Sequence, residues 1–189
     1  MNTPAPAFDA LLYSGMLLLP VLMLSAWAWL LWQARPLGPL WPPRDLSRKL
    51  ARELSYTTLL CLQIFRLPLE LLMLRAALLG IMPVEFSMLG YNYDVLTGLG
   101  ALLLTIASAL RGTLPKPLLW AWNLLGIACL VVIAALALLT SPRLHAFGTE
   151  AAHINTWVQF FPYALLPIVL VSLAVLGHVL MTHKLLLKK

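Results

Sequence analysis

Two charges stand where an apolar helix should carry none. In the run Leu62-Gln63-Ile64-Phe65-Arg66-Leu67-Pro68-Leu69-Glu70-Leu71, Arg66 and Glu70 are four residues apart, which puts them on one helix face and within reach of each other. Gln63 and Tyr56 continue that face toward the start of the segment. An ionised side chain in mid-membrane costs about 2.5–3.5 kcal/mol on insertion scales. The pair is therefore expected to face inward, each charge on the other. Pro68 has no N–H to donate, so the carbonyl of Ile64 loses its usual donor, which would place a free backbone acceptor beside the pair. Two chemistries fit: a structural salt bridge that fixes helix packing, or a buried site for a proton, an ion or a small polar solute. Arg75, nearer the far end of the same run, is placed to snorkel.

Other polar residues extend the set. The stretch Pro83-Val84-Glu85-Phe86-Ser87-Met88-Leu89-Gly90-Tyr91-Asn92-Tyr93-Asp94 holds acids and no base. Asp94 is placed to cap the helix that follows, with Asn92 in that role if the helix starts earlier. The other reading makes Asn92 and Asp94 the outer mouth of a polar path to Arg66 and Glu70. Asn123 reads as an interhelical hydrogen-bonding residue, and His178 as either a hydrogen-bonded packing residue or a ligand. Gly98, Ala101, Thr105 and Ser108 give one segment a small-residue face that lets another backbone come close.

The same residue types exclude several chemistries. His178 alone lies well inside an apolar segment, with His183 at an edge and His145 and His153 on the opposite side, so an intrachain bis-His haem is not expected. His145, Glu150 and His153 have no specific metal-ligand spacing. Neither a P-loop, a Gly-x-Ser-x-Gly elbow nor an HExxH helix occurs. Cys61 and Cys129 are both in apolar runs, which gives neither a disulfide framework nor a CxxC pair. No cofactor, no resident metal and no catalytic residue are expected.

The elements that must position these residues are membrane helices. Of 189 residues, 61% are hydrophobic and 11% charged, with a mean hydropathy of +0.89. Water-soluble domains carry about 25% charged residues, so the surplus apolar side chains must face lipid. Five apolar segments, at about 10–34, 55–80, 94–110, 118–140 and 157–182, each approach the roughly 17–25 residues that cross a hydrocarbon layer. Proline and glycine punctuate the connections, as at Pro36, Pro39, Pro42 and Pro43, or at Gly112, Pro115 and Pro117. The fold class expected is all-α, a multi-pass bundle in a single integral membrane domain over 1–189.

Orientation follows from the cations. Arg35, Arg44, Arg48, Lys49, Arg52, Arg111, Lys116, Lys184, Lys188 and Lys189 fall on one side and Arg143 alone on the other, ten against one. Positive-inside bias then puts the N-terminus outside and the C-terminus in the cytoplasm. Trp27, Trp29 and Trp32, with Trp120 and Trp122, fall at the cytoplasmic interface in that arrangement. The net charge of +6 sits in loops rather than on a soluble domain, so nucleic acid is not an expected partner. Residues 1–10 contain no Lys or Arg, which argues against a cleaved signal peptide and for a retained first span.

Residues 44–54 read as a basic amphipathic helix. Leu46, Leu50 and Leu54 recur every four residues, and Arg44, Arg48, Lys49 and Arg52 cover the rest of its surface. It either lies in the headgroup layer on anionic lipid or docks a cytoplasmic partner. There is no internal repeat to support an inverted-repeat transporter.

From about Phe65 onward the chain resembles a family of uncharacterised bacterial inner-membrane proteins. The residues that carry the resemblance are Arg66-x-Pro68-x-Glu70, Gly90-x-Asn92-x-Asp94-x-x-x-Gly98, Trp122-Asn123, Ser141-Pro142, Phe161-Pro162, Leu166-Pro167 and His178. Tyr91 departs from the pattern, in which a basic residue is common, and relatives tend to have more spans before the Arg-x-Pro-x-Glu helix. The resemblance implies no activity, but it groups Arg66, Glu70, Asn92, Asp94, Asn123 and His178 as one constellation.

Two functions follow. The first is a binding or transport-type protein, with a polar site between the second, third and fifth spans and Arg66, Glu70, Gln63, Asn92, Asp94, Asn123 and His178 as candidates. Short spans enclose little volume, so a homo-oligomer or a larger membrane complex is expected. The second is an assembly or accessory subunit with no substrate of its own. An intramembrane enzyme would need Glu70, His178 and Asp94 to converge, and the several helical turns expected between Asp94 and His178 oppose that.

Overall fold

The computed structural model describes residues 8–33 and 46–187, with backbone only at 33 and 46–48. Helix α1 (Ala10–Gln33) begins at Asp9, whose carboxylate accepts the Leu12 N–H at 2.8 Å in an N-cap. Asp9 also accepts from Arg75 Nε and Nη2, at 3.0 and 2.8 Å. These bonds from the Arg75 guanidinium hold its carboxyl down at about 2. Arg75 does not snorkel as an unpaired charge: it ties α1 to the next span.

Helix α2 (Leu46–Glu53) packs against the last helix of the chain, with Leu50, Ala51 and Leu54 buried. Leu50 and Leu54 therefore pack on protein. The Lys184 ammonium fixes α2 there, donating to the carbonyl of Ala51 at 3.0 Å near the helix end, where cations are favoured. Arg52 is exposed and Lys49 partly buried. Arg44 and the side chain of Arg48 lie outside the described residues.

The second span is broken. Helix α3 (Tyr56–Cys61), capped by Ser55 through the Thr58 N–H at 2.9 Å, tightens into a turn over 62–65. It resumes as α4 (Arg66–Leu78). In the turn, bonds run three residues back, from Gln63 to Leu60 at 2.9 Å and from Ile64 to Cys61 at 3.2 Å. The Ile64 carbonyl accepts from the Leu67 N–H at 3.0 Å. The free acceptor expected beside Pro68 is thus absent, because shorter-pitch bonds take it up. Pro68 falls in the first turn of α4, where its missing N–H matters least.

Helix α5 (Val95–Arg111) has 17 residues, and its small-residue face meets α3 and α4. A Cβ added to Gly98 would lie 2.8 Å from the backbone nitrogen of Leu67. Ser108 and Thr57 hydroxyls bond at 2.6 Å. Helix α6 (Lys116–Leu139) starts with Pro117 in its first turn. After a connection with short 3-10 turns at Ala151–His153 and Trp157–Gln159, a π-helical stretch (Leu166–Val171) runs into α7 (Ser172–Leu186). The last helix starts at Leu166 and not at Trp157, as the fifth apolar segment suggested. Pro162 breaks the helix that would have begun there.

All described secondary structure is helical. Four stretches are long and apolar enough to cross a membrane: Ala10–Trp32, Tyr56–Leu78, Lys116–Leu139 and Leu166–Leu186. Val95–Arg111 is a shorter apolar helix. Large apolar side chains stand exposed along α1 and α6, Leu18, Leu22, Leu124 and Val131 among them, as lipid-facing helices require.

Candidate functional site

The connection between α4 and α5 does not behave as a surface loop. Met82, Glu85, Phe86, Ser87, Asn92 and Asp94 are all buried in it, so it folds into the bundle and delivers Asn92 and Asp94 to the interior. Both are buried, so neither forms an open outer mouth. Asn92 makes the turn: its Oδ1 accepts the Asp94 N–H at 3.0 Å, and its Nδ2 donates to the Phe86 carbonyl at 2.8 Å. Asp94 sits at the N-cap position of α5 without capping it, because its carboxylate is engaged elsewhere.

That carboxylate belongs to Arg66. The guanidinium, 1% exposed, donates from Nε to Asp94 Oδ2 at 2.6 Å, and Nη2 faces Oδ1 in the second arm of a fork. The expected Arg66–Glu70 pair is not formed. An acid one turn C-terminal to a base is the weaker order for a helical pair, and helical side chains lean toward the N-terminus, which carries Arg66 away from Glu70. Asp94, at the start of α5, also meets the positive end of that helix.

The third arm of Arg66 reaches α7, where Nη1 donates to His178 Nε2 at 2.7 Å. Since Nε2 accepts, the proton is on Nδ1, which donates to Asn123 Oδ1 on α6 at 2.8 Å. Asn123 Nδ2 donates to Thr182 at 2.8 Å, and that hydroxyl returns to the His178 carbonyl at 2.9 Å. One chain of bonds therefore joins α4, α5, α6 and α7. Asp94 and His178 converge on one guanidinium, against the depth separation expected from their spans, because the connection before α5 turns inward. Asn123, a candidate from the sequence, brings in α6, which the expected site between the second, third and fifth segments did not include.

Glu70 is 0% exposed, and its donor is the Asn92 amide, at 3.1 and 3.0 Å from its two oxygens. Gln63 is as deeply buried, but neither polar atom of its amide has a hydrogen-bond partner. It is packed against Gly177 and stands apart from the network.

Several supporting residues carried no warning in the sequence. Trp122, expected at the membrane interface, is buried: its indole donates to the Thr97 carbonyl at 3.0 Å and its ring lies 5.2 Å from that of His178. Gly126 leaves room for the imidazole, since any Cβ there would overlap His178 Cε1 and Nε2. Outside the cluster, Glu85 pairs with His153 Nδ1 at 2.6 Å. The described residues hold no group of three or more His, Cys, Asp or Glu side chains able to bind a metal ion.

Beside the cluster is a cavity of about 220 Å³. Arg66, Glu70 and Asp94 form its ionic part; Phe65, Leu69, Leu130, Leu170 and others make its walls apolar. Ala134 and Pro167 line it and are also exposed, so it opens between α6 and the last helix. Such a space, apolar with a few convergent polar groups, has the make-up of a small-molecule site.

Neither curated proteins nor solved structures give a match to this chain. A family model, Domain of unknown function (DUF8737), matches residues 16–186. That span takes in most of α1 and all of α2 as well as the stretch from Phe65 onward. With helices able to cross a membrane along its length and a buried ionic cluster among them, the chain belongs to the family described as Domain of unknown function (DUF8737).

Proposed function

We propose that this is a five-span protein of the bacterial inner membrane, N-terminus outside and C-terminus inside, that binds a small amphipathic solute beside Arg66 and Glu70. The cavity carries this reading: its apolar walls end on three buried ionisable side chains and it opens between helices that face lipid. A purely structural salt bridge needs no adjoining space. The apolar lining moves the reading away from a fully polar solute. Arg66 is held rigid by Asp94 and His178, so Glu70 is the group left to meet a ligand.

The span beyond the four long helices is Val95–Arg111, third in chain order, whose 17 residues are at the lower end of what crosses a bilayer. The cation asymmetry supports the orientation, with Lys49 and Arg52 of α2 meeting anionic headgroups on the cytoplasmic side. The exposed apolar faces of α1 and α6 fit a homo-oligomer or membrane complex as well as lipid.

The solute site is tested on the purified chain in detergent with single-ring probes of each charge: benzyltrimethylammonium, neopentylbenzene and benzenesulfonate. At least one should raise the unfolding midpoint of the natural protein and fail to do so in Ala134→Trp. Position 134 is at the open mouth, where a large side chain can be placed without disturbing the core. If no probe shows a midpoint shift that Ala134→Trp removes, the reading is wrong.

A further inference from the structure

Building on that solute site, we infer that its ligand is an organic cation, an amine or quaternary ammonium with a compact apolar body. The cavity is lined by two acids and one base. The base is already committed: Arg66 forms a two-armed ion pair with Asp94 and bonds His178 through Nη1. Glu70 has no cation of its own, and its one amide donor also serves the carbonyl of Phe86. A second anion would meet the charges of Glu70 and Asp94, and a guanidinium whose three nitrogens already face Asp94 and His178. A bare metal ion would lack ligands on apolar walls.

The walls favour the same class. Phe65, Phe86 and Trp157 all line the cavity, and aromatic faces attract quaternary ammonium groups away from water. Trp157 is 2% exposed, and its indole N–H has no hydrogen-bond partner. The buried amide oxygen of Asn155, also on the lining, has none either. An unpaired buried donor and acceptor beside the lining are unfavourable. The cavity's size suits one ring or a short chain, and the opening at Ala134 and Pro167 admits a molecule that partitions into lipid.

The experiment measures calorimetric binding of benzyltrimethylammonium against neopentylbenzene, which replaces the charged nitrogen with carbon at the same shape, and against benzenesulfonate. The cation should bind at least about tenfold more tightly than its neutral counterpart, a difference of about 1.4 kcal/mol. Glu70→Gln should remove that preference, bringing the cation-to-neutral affinity ratio to about one, whereas Glu70→Asp should retain part of it. Equal or better binding of the neutral or anionic probe, lost in Ala134→Trp, overturns the cation assignment and leaves the solute site standing. If none of the three binds in an Ala134-dependent way, both fail. Should the Glu70 variants not accumulate, the cation-to-neutral ratio on the natural protein decides.

Discussion

The imidazole of His178 occupies the space that a side chain at position 126 would need, so the contact between α6 and α7 depends on the absence of one methyl group. Gly126→Ala is therefore expected to push the ring away from Arg66 and destabilise the chain by about 1–3 kcal/mol, the usual effect of overpacking a tight interior. Ala128→Val, on the exposed side of the same helix, should change little. Thermal unfolding of both variants checks this. The Gly126→Ala and His178→Ala effects should also be less than additive, because both break the same bond.

Removing the acid from Arg66 should be far more damaging. Asp94→Asn leaves a guanidinium that is 1% exposed without its counter-charge, and breaking a buried pair in this way costs about 3–5 kcal/mol. Membrane accumulation should fall sharply, while Glu70→Gln, which leaves the fork intact, should accumulate far better. Equal abundance of Asp94→Asn and the natural protein would show that Arg66 finds another partner.

These two expectations mark the division between what the sequence disclosed and what it hid. Composition alone is enough to locate α1 and α6 almost to the residue, since lipid-facing helices are selected for apolar length. It also requires that Arg66 be buried and paired. Its partner was hidden: adjacency favoured Glu70, but choosing Asp94 needs the inward fold of residues 81–94, which no periodic pattern announces. Trp122 misled for a related reason. A tryptophan near a span's end looks like a belt residue until a carbonyl such as that of Thr97 is found opposite its N–H. Asp9 was passed over because a lone acid before an apolar run gives no hint of Arg75.

The Asp9–Arg75 pair gives a pH dependence with a definite sign. Asp9 is held at about 2, below its ordinary value of 3.8, so the folded form keeps the carboxylate to lower pH than the unfolded chain does. The pair's stabilisation is thus fully present above about pH 4 and is lost as pH falls through the folded value. The pair is partly exposed, so added salt should weaken it too. Asp9→Asn should abolish this acid-dependent component and loosen α1, seen as faster hydrogen exchange near residues 10–16. Unchanged exchange in Asp9→Asn would show that packing alone holds α1.

Topology can be settled with single cysteines after replacing Cys61 and Cys129. Glu85 is buried and would report poorly for its connection, whereas Tyr91 and Tyr93 are exposed. Cysteines at 91 and 150 should react with an impermeant maleimide added outside intact cells, and one at 113 only after the membrane is opened. Reaction of 91 and 113 from the same side would remove α5 as a span and reverse the assignment of everything after it.

Gln63 should respond in the opposite direction from the rest of the cluster. Its amide is fully buried with no hydrogen bond on either polar atom, and it is packed against Gly177 away from the cavity lining. An unsatisfied buried polar group costs about 1–3 kcal/mol. Gln63→Met, close in volume and without polar groups to satisfy, should raise the unfolding midpoint while leaving probe binding as it was. If it lowers stability, the amide has a partner such as bound water. If it lowers probe binding at unchanged stability, Gln63 belongs to the solute site, and the cavity must reach past Arg66 toward α3.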